Sequence, residues 1–381
     1  MPEHPACTMT PNPLDEFGVI SRFFTDRSFY PSAWPSQGAG DDCAFLDVGP
    51  MRLAVTADMM ALGSHFLENA SPYTVGRKAL AVNLSDLAAA GSEPKAFFLS
   101  ISLPRIDENW LEGFSRGLLE EARRFNCPLR GGDTVKSFAK PGQSPYTAIS
   151  ITAMGELPAG KGLTRAGARV GEDIWVSGTP GDAFAALGQI FGYWTFAEPL
   201  LGYFRSRMDL PEPRVALGRG LLNTATACCD ISDGLIGDLK HILERSGVSA
   251  RLFWPAFPES DAMKQLPEAV QQRCVLSGGD DYELLFTAPA DRRDEILRIA
   301  ERADTRVSRI GEVLSAGEPL QVIDEKGSDV NCAASFNHFG NRKRYWRITE
   351  WYSLRTCAIP RPDNGCRPAG RTAGTQRNAG L

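Results

Sequence analysis

Asp41 and Asp42, in Gly38-Ala39-Gly40-Asp41-Asp42-Cys43-Ala44, begin a series of aspartates set among small residues. Asp58 follows in Thr56-Ala57-Asp58, Asp86 in Asn83-Leu84-Ser85-Asp86-Leu87, and Asp133 in Arg130-Gly131-Gly132-Asp133-Thr134. Asp230 and Asp233 close the series in Asp230-Ile231-Ser232-Asp233-Gly234. Most stand at the end of an apolar run, where a strand or helix aims them at one common place. Carboxylates gathered without matching Lys or Arg repel one another and are costly to desolvate. A hard divalent cation removes that penalty, and Mg²⁺ is usually held by carboxylates together with phosphate oxygens. The pattern predicts Mg²⁺-dependent phosphate chemistry.

Asp86 is the most telling of these residues. The run from Ala79 to Ala90 is nearly all Ala, Leu and Val, so a helix there is largely buried, and Asn83 and Asp86 share one of its faces. The alternative is a polar stripe facing solvent, which the rarity of unpaired buried Asp argues against. Asp58, Gly132-Asp133 and Asp233-Gly234, taken singly, also fit ordinary turns. Their joint occurrence is what points to a site. His65, one of four histidines, fits a structural role as well as a chemical one. Other phosphate-binding signatures are missing: Gly160-Lys161-Gly162 is not a Walker A loop, and Gly38-x-Gly40 lacks the third glycine of a dinucleotide fingerprint. No Gly-x-Ser-x-Gly elbow is present for a serine hydrolase.

The elements that must position these residues alternate between strand and helix. A helix is expected over 14–26, then strands Ala44–Val48 and Leu53–Thr56, the second delivering Asp58. Ser71-Pro72 is an N-cap and N1 pair opening a helix that stops near Gly91. Strand Lys95–Leu103, a helix capped by Asp107 and strand Tyr146–Gly155 complete the first half. After a boundary near 156–161 come strand Asp173–Ser177 and helices Gly181–Phe191, Pro213–Ala225 and Asp233–Ser246, the last stopped by Gly247. Strand Tyr282–Thr287 and helix Ala290–Ala303 follow. Three segments result: 14–156, 157–340 and an Arg-, Pro- and Gly-rich tail over 341–381, expected to be partly disordered.

Composition narrows the class. The 381 residues suffice for two domains, and 43% hydrophobic with 23% charged residues is ordinary for a globular protein. A net charge of −5 leaves no footprint for nucleic acid. No apolar stretch approaches membrane-spanning length, so no membrane association is expected. Nine scattered cysteines without a Cys-x-x-Cys pair suggest neither a disulfide framework nor zinc. The start, Met1-Pro2-Glu3-His4-Pro5, lacks the features of a signal peptide, and the cytoplasm is the expected compartment.

Assembled in order, the motifs resemble thiamine-monophosphate kinases. Carrying the resemblance are Gly-Asp-Asp-Cys-Ala at 40–44, Thr-Ala-Asp at 56–58 with Gly-Ser-His-Phe at 63–66, and Lys-Ala-Leu-Ala-Val-Asn-Leu-Ser-Asp-Leu-Ala-Ala at 78–89. Gly-Gly-Asp-Thr at 131–134, Leu-Thr-Arg-Ala-Gly-Ala at 163–168, Asp-Ile-Ser-Asp-Gly-Leu at 230–235 and Ser-Gly-Gly-Asp-Asp-Tyr-Glu-Leu at 277–284 extend it. The wider superfamily, which includes aminoimidazole ribonucleotide synthetase, shares the Gly-Asp elements but not this set. The resemblance implies an α/β (α+β) two-domain fold whose N-terminal domains pair between two subunits into a barrel-like β-structure, with the active site between domains. It implies ATP and thiamine monophosphate as substrates, several Mg²⁺ ions and a homodimer. Metal-ligand positions fall on Asp42, Thr56, Asp58, Asp86, Asp133, Asp230 and Asp233. Nucleotide contacts fall on Gly132, Asp133, Arg165 and Ser232, and the acceptor side on His65, Asp280, Phe336 and Phe339. Two positions depart from the pattern: Ala57 stands where a second hydroxyl residue is usual, and Asp280 where the family has Glu. Another ATP-using superfamily member, or a catalytically weak binder of thiamine phosphate or nucleotide, are the alternative readings at this point.

Overall fold

Two open β-sheets, joined through one buried helix, bring the aspartates together. The computed structural model describes residues 40–139 and 146–330, with residue 19 in isolation. The helix expected over 14–26, Phe336, Phe339 and the tail lie outside the described residues.

The first sheet holds β1 (Ala44–Val48), β2 (Met51–Ala61), β3 (Glu93–Leu103), β4 (Leu129–Lys136) and β5 (Ala148–Pro158), in the order β1-β2-β5-β3-β4. All its pairings are antiparallel except β3 with β4. Helices α1 (Pro72–Ala89) and α2 (Glu108–Arg124) accompany it. Alternation along β2 decides which residues face the core: Ala54, Thr56 and Met60 are buried, whereas Ala57 and Met59 are exposed. α1 begins at Pro72, whose fixed φ suits N1. Its Ala-rich surface is buried almost all round, against α2, the β2–β5 pair and the second half of the chain. At the α1–α2 crossing, Cβ atoms at Gly76 and Gly117 would lie 2.1 and 2.0 Å from backbone oxygens of the facing helix, so both positions need glycine. Asp107 caps α2 by accepting from the Trp110 amide at 3.1 Å.

The second sheet runs β11-β8-β10-β6-β9-β7 and combines β6 (Asp173–Ser177), β7 (Ala227–Asp230), β8 (Ser249–Phe253), β9 (Leu284–Ala288), β10 (Val307–Leu314) and β11 (Gln321–Ile323). Its helices are α3 (Asp182–Ile190), α4 (Leu200–Asp209), α5 (Val215–Leu221), α6 (Leu235–Ser246), α7 (Glu268–Ser277) and α8 (Arg293–Arg302). Gly247, with φ +66°, ends α6 as expected. Neither sheet closes into a barrel.

The structure departs from the sequence reading in three ways that bear on the site. β2 runs on to Ala61, so Asp58 sits within the strand and is held by its pairing with Ile151. Gly132-Asp133, which fits a turn by composition, lies inside edge strand β4. Gly132 has φ +153°, and a Cβ there would stand 1.7 Å from the Leu99 carbonyl oxygen. That close approach to β3 is what requires the glycine. Tyr282 precedes β9 rather than starting it, with φ +55°.

No helix among the described residues is long and apolar enough to cross a membrane.

Candidate active site

Asp42, Asp86 and Asp230 each present a carboxylate oxygen, and these oxygens lie within 4.8 Å of one another. They come from three places in the chain: the turn before β1, the last turn of α1 and the last residue of β7. Short hydrogen bonds fix two of them. Thr56 Oγ1 donates to Asp86 Oδ2 at 2.5 Å, and Ser85 Oγ donates to Asp230 Oδ2 at 2.6 Å. Asn83, one turn before Asp86, accepts from the Asp58 amide at 3.2 Å and ties β2 to α1.

The electrostatics are those of crowded, desolvated acids. Burial pushes the Asp42 carboxyl up to about 7, with Arg165 opposing and Asp230 and Asp41 adding to the rise. Asp230 is pushed up to about 6, again by burial, against the hydrogen bond from Ser85 and the charge of Arg165. Asp86 lies well above the usual carboxylate range because of burial and the charges of Asp58, Asp230 and Asp42. Arg165 is the cation that answers them: its Nη2 donates to Asp42 Oδ1 at 2.5 Å and its backbone amide to Asp41 Oδ1 at 2.9 Å.

These residues fit a small hard dication. Oxygens on one octahedral Mg²⁺ stand about 3 Å apart when adjacent and about 4.2 Å when opposed, so oxygens within 4.8 Å of one another are gathered to about the span of one ion. The carboxylate and hydroxyl oxygens suit a hard cation, the Cys43 thiol beside them being pushed further up by burial and their charges, and burial without enough positive charge is the state that a cation relieves.

The remaining expected site residues fall in different places. Asp58 approaches the trio on β2, near enough to raise Asp86 and Asp230, and Asp233 adds to the rise of Asp230. Asp133 does not join them. Its row across the sheet runs through Ser100 and Ser150 to exposed Met59, on the face opposite Asp58. Ala57 also points to that opposite face, so its missing hydroxyl is no loss to the trio. His65 lies just past β2 and its Nδ1 accepts from the Ala61 amide at 3.1 Å. The Ser232 and Asp233 amides, with that of Gly234, donate to Asp238 Oδ2 at 3.1–3.2 Å, shaping the loop after Asp230.

Comparisons with known proteins agree with this geometry. The family models for AIR synthase related protein match residues 40–157 (N-terminal domain) and 169–322 (C-terminal domain). The thiamine-monophosphate kinase of Haemophilus influenzae is 37% identical over 335 residues, covering 87% of this chain and 99% of that protein. That of Salmonella typhimurium is 40% identical over 318 residues, covering 83% and 91%. The chain belongs to the thiamine-monophosphate kinase family. The solved structure of AaThiL complexed with AMPPCP and TMP is 30% identical, with a TM-score of 0.71 over 86% of this chain and 97% of that one. The fold is accordingly the mixed α/β, two-domain AIR synthase-like one.

In this thiamine-phosphate kinase, several supporting residues escaped sequence reasoning. Within Asp280-Asp281-Tyr282-Glu283 each acid has a different partner. Glu283, fully buried, accepts from Arg214 Nε and Nη2 at 2.7 and 2.6 Å, Arg207 Nη2 at 3.0 Å and Ser177 Oγ at 2.5 Å. Asp281 caps α3 by accepting from the Gly181 and Ala183 amides at 2.6 and 3.3 Å. Asp280 is paired with Lys78 of α1. The backbone of this segment also zips onto the aspartate loop, through Tyr282 N to Ile231 O, Ile231 N to Glu283 O and Asp280 N to Ser232 O at 2.8–2.9 Å. Polar residues inside an apolar helix were the available signal for Lys78. Arg207 and Arg214 carried none, because their partner is distant in sequence.

Proposed function

We propose that the chain transfers the terminal phosphoryl group of ATP to the phosphate of thiamine monophosphate, releasing thiamine diphosphate and ADP. The observation that carries this reading is the Asp42–Asp86–Asp230 trio, Asp230 buried and the other two half-buried, in a member of a kinase family. The attacking atom is a phosphate oxygen of the acceptor, largely anionic at neutral pH because the second pKa of such a monoester is about 6. A bond forms from that oxygen to the γ-phosphorus as the bridging P–O bond to the β-phosphate breaks, and no general base is needed. The obstacle is the approach of two polyanions. Asp42, Asp86 and Asp230, with Asp58 and Asp233 beside them, would hold Mg²⁺, which supplies positive charge to donor and acceptor phosphates. Thr56 and Ser85 orient the carboxylates, and Arg165 offers a guanidinium to the nucleotide.

On the resemblance of the motifs, Gly132, Asp133 and Ser232 complete the nucleotide side and His65, Asp280, Phe336 and Phe339 the acceptor side. Residues 14–156 then carry metal, nucleotide and subunit contacts, and 157–340 complete the site. The cytoplasm, where ATP is abundant, is the assigned compartment. Incubated with ATP and Mg²⁺, the purified protein is expected to convert thiamine monophosphate to the diphosphate, with free thiamine a poor acceptor because its neutral hydroxyl lacks a base. Chromatography of the products checks this, and better turnover of free thiamine would overturn the mechanism.

Pairing of two copies along the first sheet is part of the same reading. β4 is an edge strand exposed along its whole length, and Met59, Phe98 and Val135 leave apolar surface on the sheet face away from α1. An uncovered, apolar edge of this kind invites strand or sheet pairing. Light scattering is expected to return twice the chain mass, and Val135→Lys to shift it toward one chain.

A further inference from the structure

We propose that Lys78 is a positioning residue for the acceptor, acting through Asp280. The inference rests on the assignment of Asp280 to the acceptor side made above. Lys78 belongs to α1, yet its Nζ donates to Asp280 Oδ2 at 2.5 Å and to the Met208 carbonyl oxygen at 3.0 Å. It also lies 6.0 Å from the centre of the Tyr282 ring. Its side chain is 8% exposed and that of Asp280 26%, so the ammonium is enclosed while the carboxylate keeps an open side. An enclosed lysine that spends one donor on a partly open acid fixes how that acid faces the cleft.

Backbone conformation supports the same role. Asp280 and Tyr282 have φ +72° and +55°, a left-handed conformation unfavourable for side chains larger than glycine. Such a segment persists only where its surroundings hold it. Three of the holds were described above: Asp281 on α3, Glu283 on the arginines, and the backbone bonds to 231–232. None of them sets the Asp280 carboxylate; Lys78 does, together with a hydrogen bond from the Tyr282 side chain.

α1 gives this contact its reach. Lys78 and Ser85 are two turns apart on one helix face, about 10 Å along the axis. Ser85 binds Asp230 of the trio and Lys78 binds Asp280. A single rigid helix therefore registers the acceptor-side carboxylate against the metal-side carboxylates. Asp280, a short carboxylate, is thereby held at a fixed distance from the trio.

The test compares Lys78→Met, Lys78→Arg, Asp280→Asn and the double variant Lys78→Met/Asp280→Asn, with ATP and thiamine monophosphate varied separately. Losing a charged hydrogen bond predicts an increase in KM for thiamine monophosphate of about ten- to a hundredfold in Lys78→Met. KM for ATP should move less than about threefold, and Lys78→Arg, which keeps the charge, should recover most of the loss. In the Asp280→Asn background, Lys78→Met should add little, since both changes break one interaction. Equal losses for both substrates, or full additivity in the double variant, would sink the proposal. If Lys78→Met does not fold, the Lys78→Arg and Asp280→Asn profiles decide. Failure of the wild-type protein to make thiamine diphosphate speaks against the proposed function, whereas an unchanged KM in an active Lys78 variant speaks against this inference alone.

Discussion

Asp86→Asn is expected to lower turnover by about a thousandfold or more while raising the melting temperature of the metal-free protein. The first effect follows from removing a ligand charge at the centre of the trio, where several kcal/mol of charge stabilisation is at stake and about 4 kcal/mol corresponds to a thousandfold. The second follows from electrostatics without metal. Burial and neighbouring acids raise Asp42, Asp86 and Asp230 above their unfolded values. For a carboxyl raised in this way, folding favours the protonated form. Its contribution to stability is therefore fully present below the unfolded value near 4 and is lost as pH rises through the folded value. With Asp230 at about 6 and Asp42 at about 7, the loss falls between about pH 4 and pH 7. In EDTA at pH 7.5, Asp86→Asn should melt above the wild type, and the gap should close by pH 4. Saturating Mg²⁺ should reverse the order by stabilising only the wild type. Thermal melts across pH with and without Mg²⁺ check all three; an unstabilised variant at pH 7.5 would mean that the carboxylates are relieved in some other way.

Glu283→Gln is expected to be among the most destabilising single changes in the protein. The carboxylate is fully buried and bound by Arg207, Arg214 and Ser177. Breaking a buried pair from one side leaves the other charge without compensation, at a cost of about 3–5 kcal/mol. Glutamine keeps the size but cannot neutralise two guanidiniums. A fall in melting temperature on the order of 10 °C is expected, together with weaker activity as the 280–283 segment loosens. Against burial, which raises it, Arg214 first and then Arg207 and Ser177 hold the folded Glu283 below its ordinary value. Its contribution is then present above the unfolded value of about 4.3 and is lost as pH falls through the folded one. The destabilisation should accordingly shrink in acid, a trend opposite to that of the trio. Urea titrations at pH 7 and pH 3.5 distinguish the two.

What the sequence discloses about this site is its chemistry more than its placement. Asp42, Asp86 and Asp230 are recognisable from their small neighbours, and Pro72 and Gly247 mark helix ends by local backbone rules. Gly132-Asp133 misleads because its glycine answers to a carbonyl on a neighbouring strand, which no local rule encodes. Asp133 and Asp58 look equivalent in sequence, yet strand alternation and register send them to opposite faces. α4, α7, β8 and β10 lack clear periodicity and were not anticipated. Lys78 is hidden for another reason: its place in an apolar helix marks it as unusual, but its partner, Asp280, is 202 residues away.

The embedding of α1 has a consequence for tolerance to change. Its alanines at 79, 81, 88 and 89 are buried, with Ala88 facing Gly218 so closely that a Cβ on that glycine would stand 1.9 Å from the Ala88 oxygen. Added methylenes there have nowhere to go, and overpacking costs about 1–3 kcal/mol each. Random variation along this helix would therefore return little but the native sequence, while solvent-facing positions on α8, such as Leu297, would accept many residues. Effort to stabilise or diversify the enzyme is best directed at such outer helices, because α1 is already at the limit of what its surroundings accommodate.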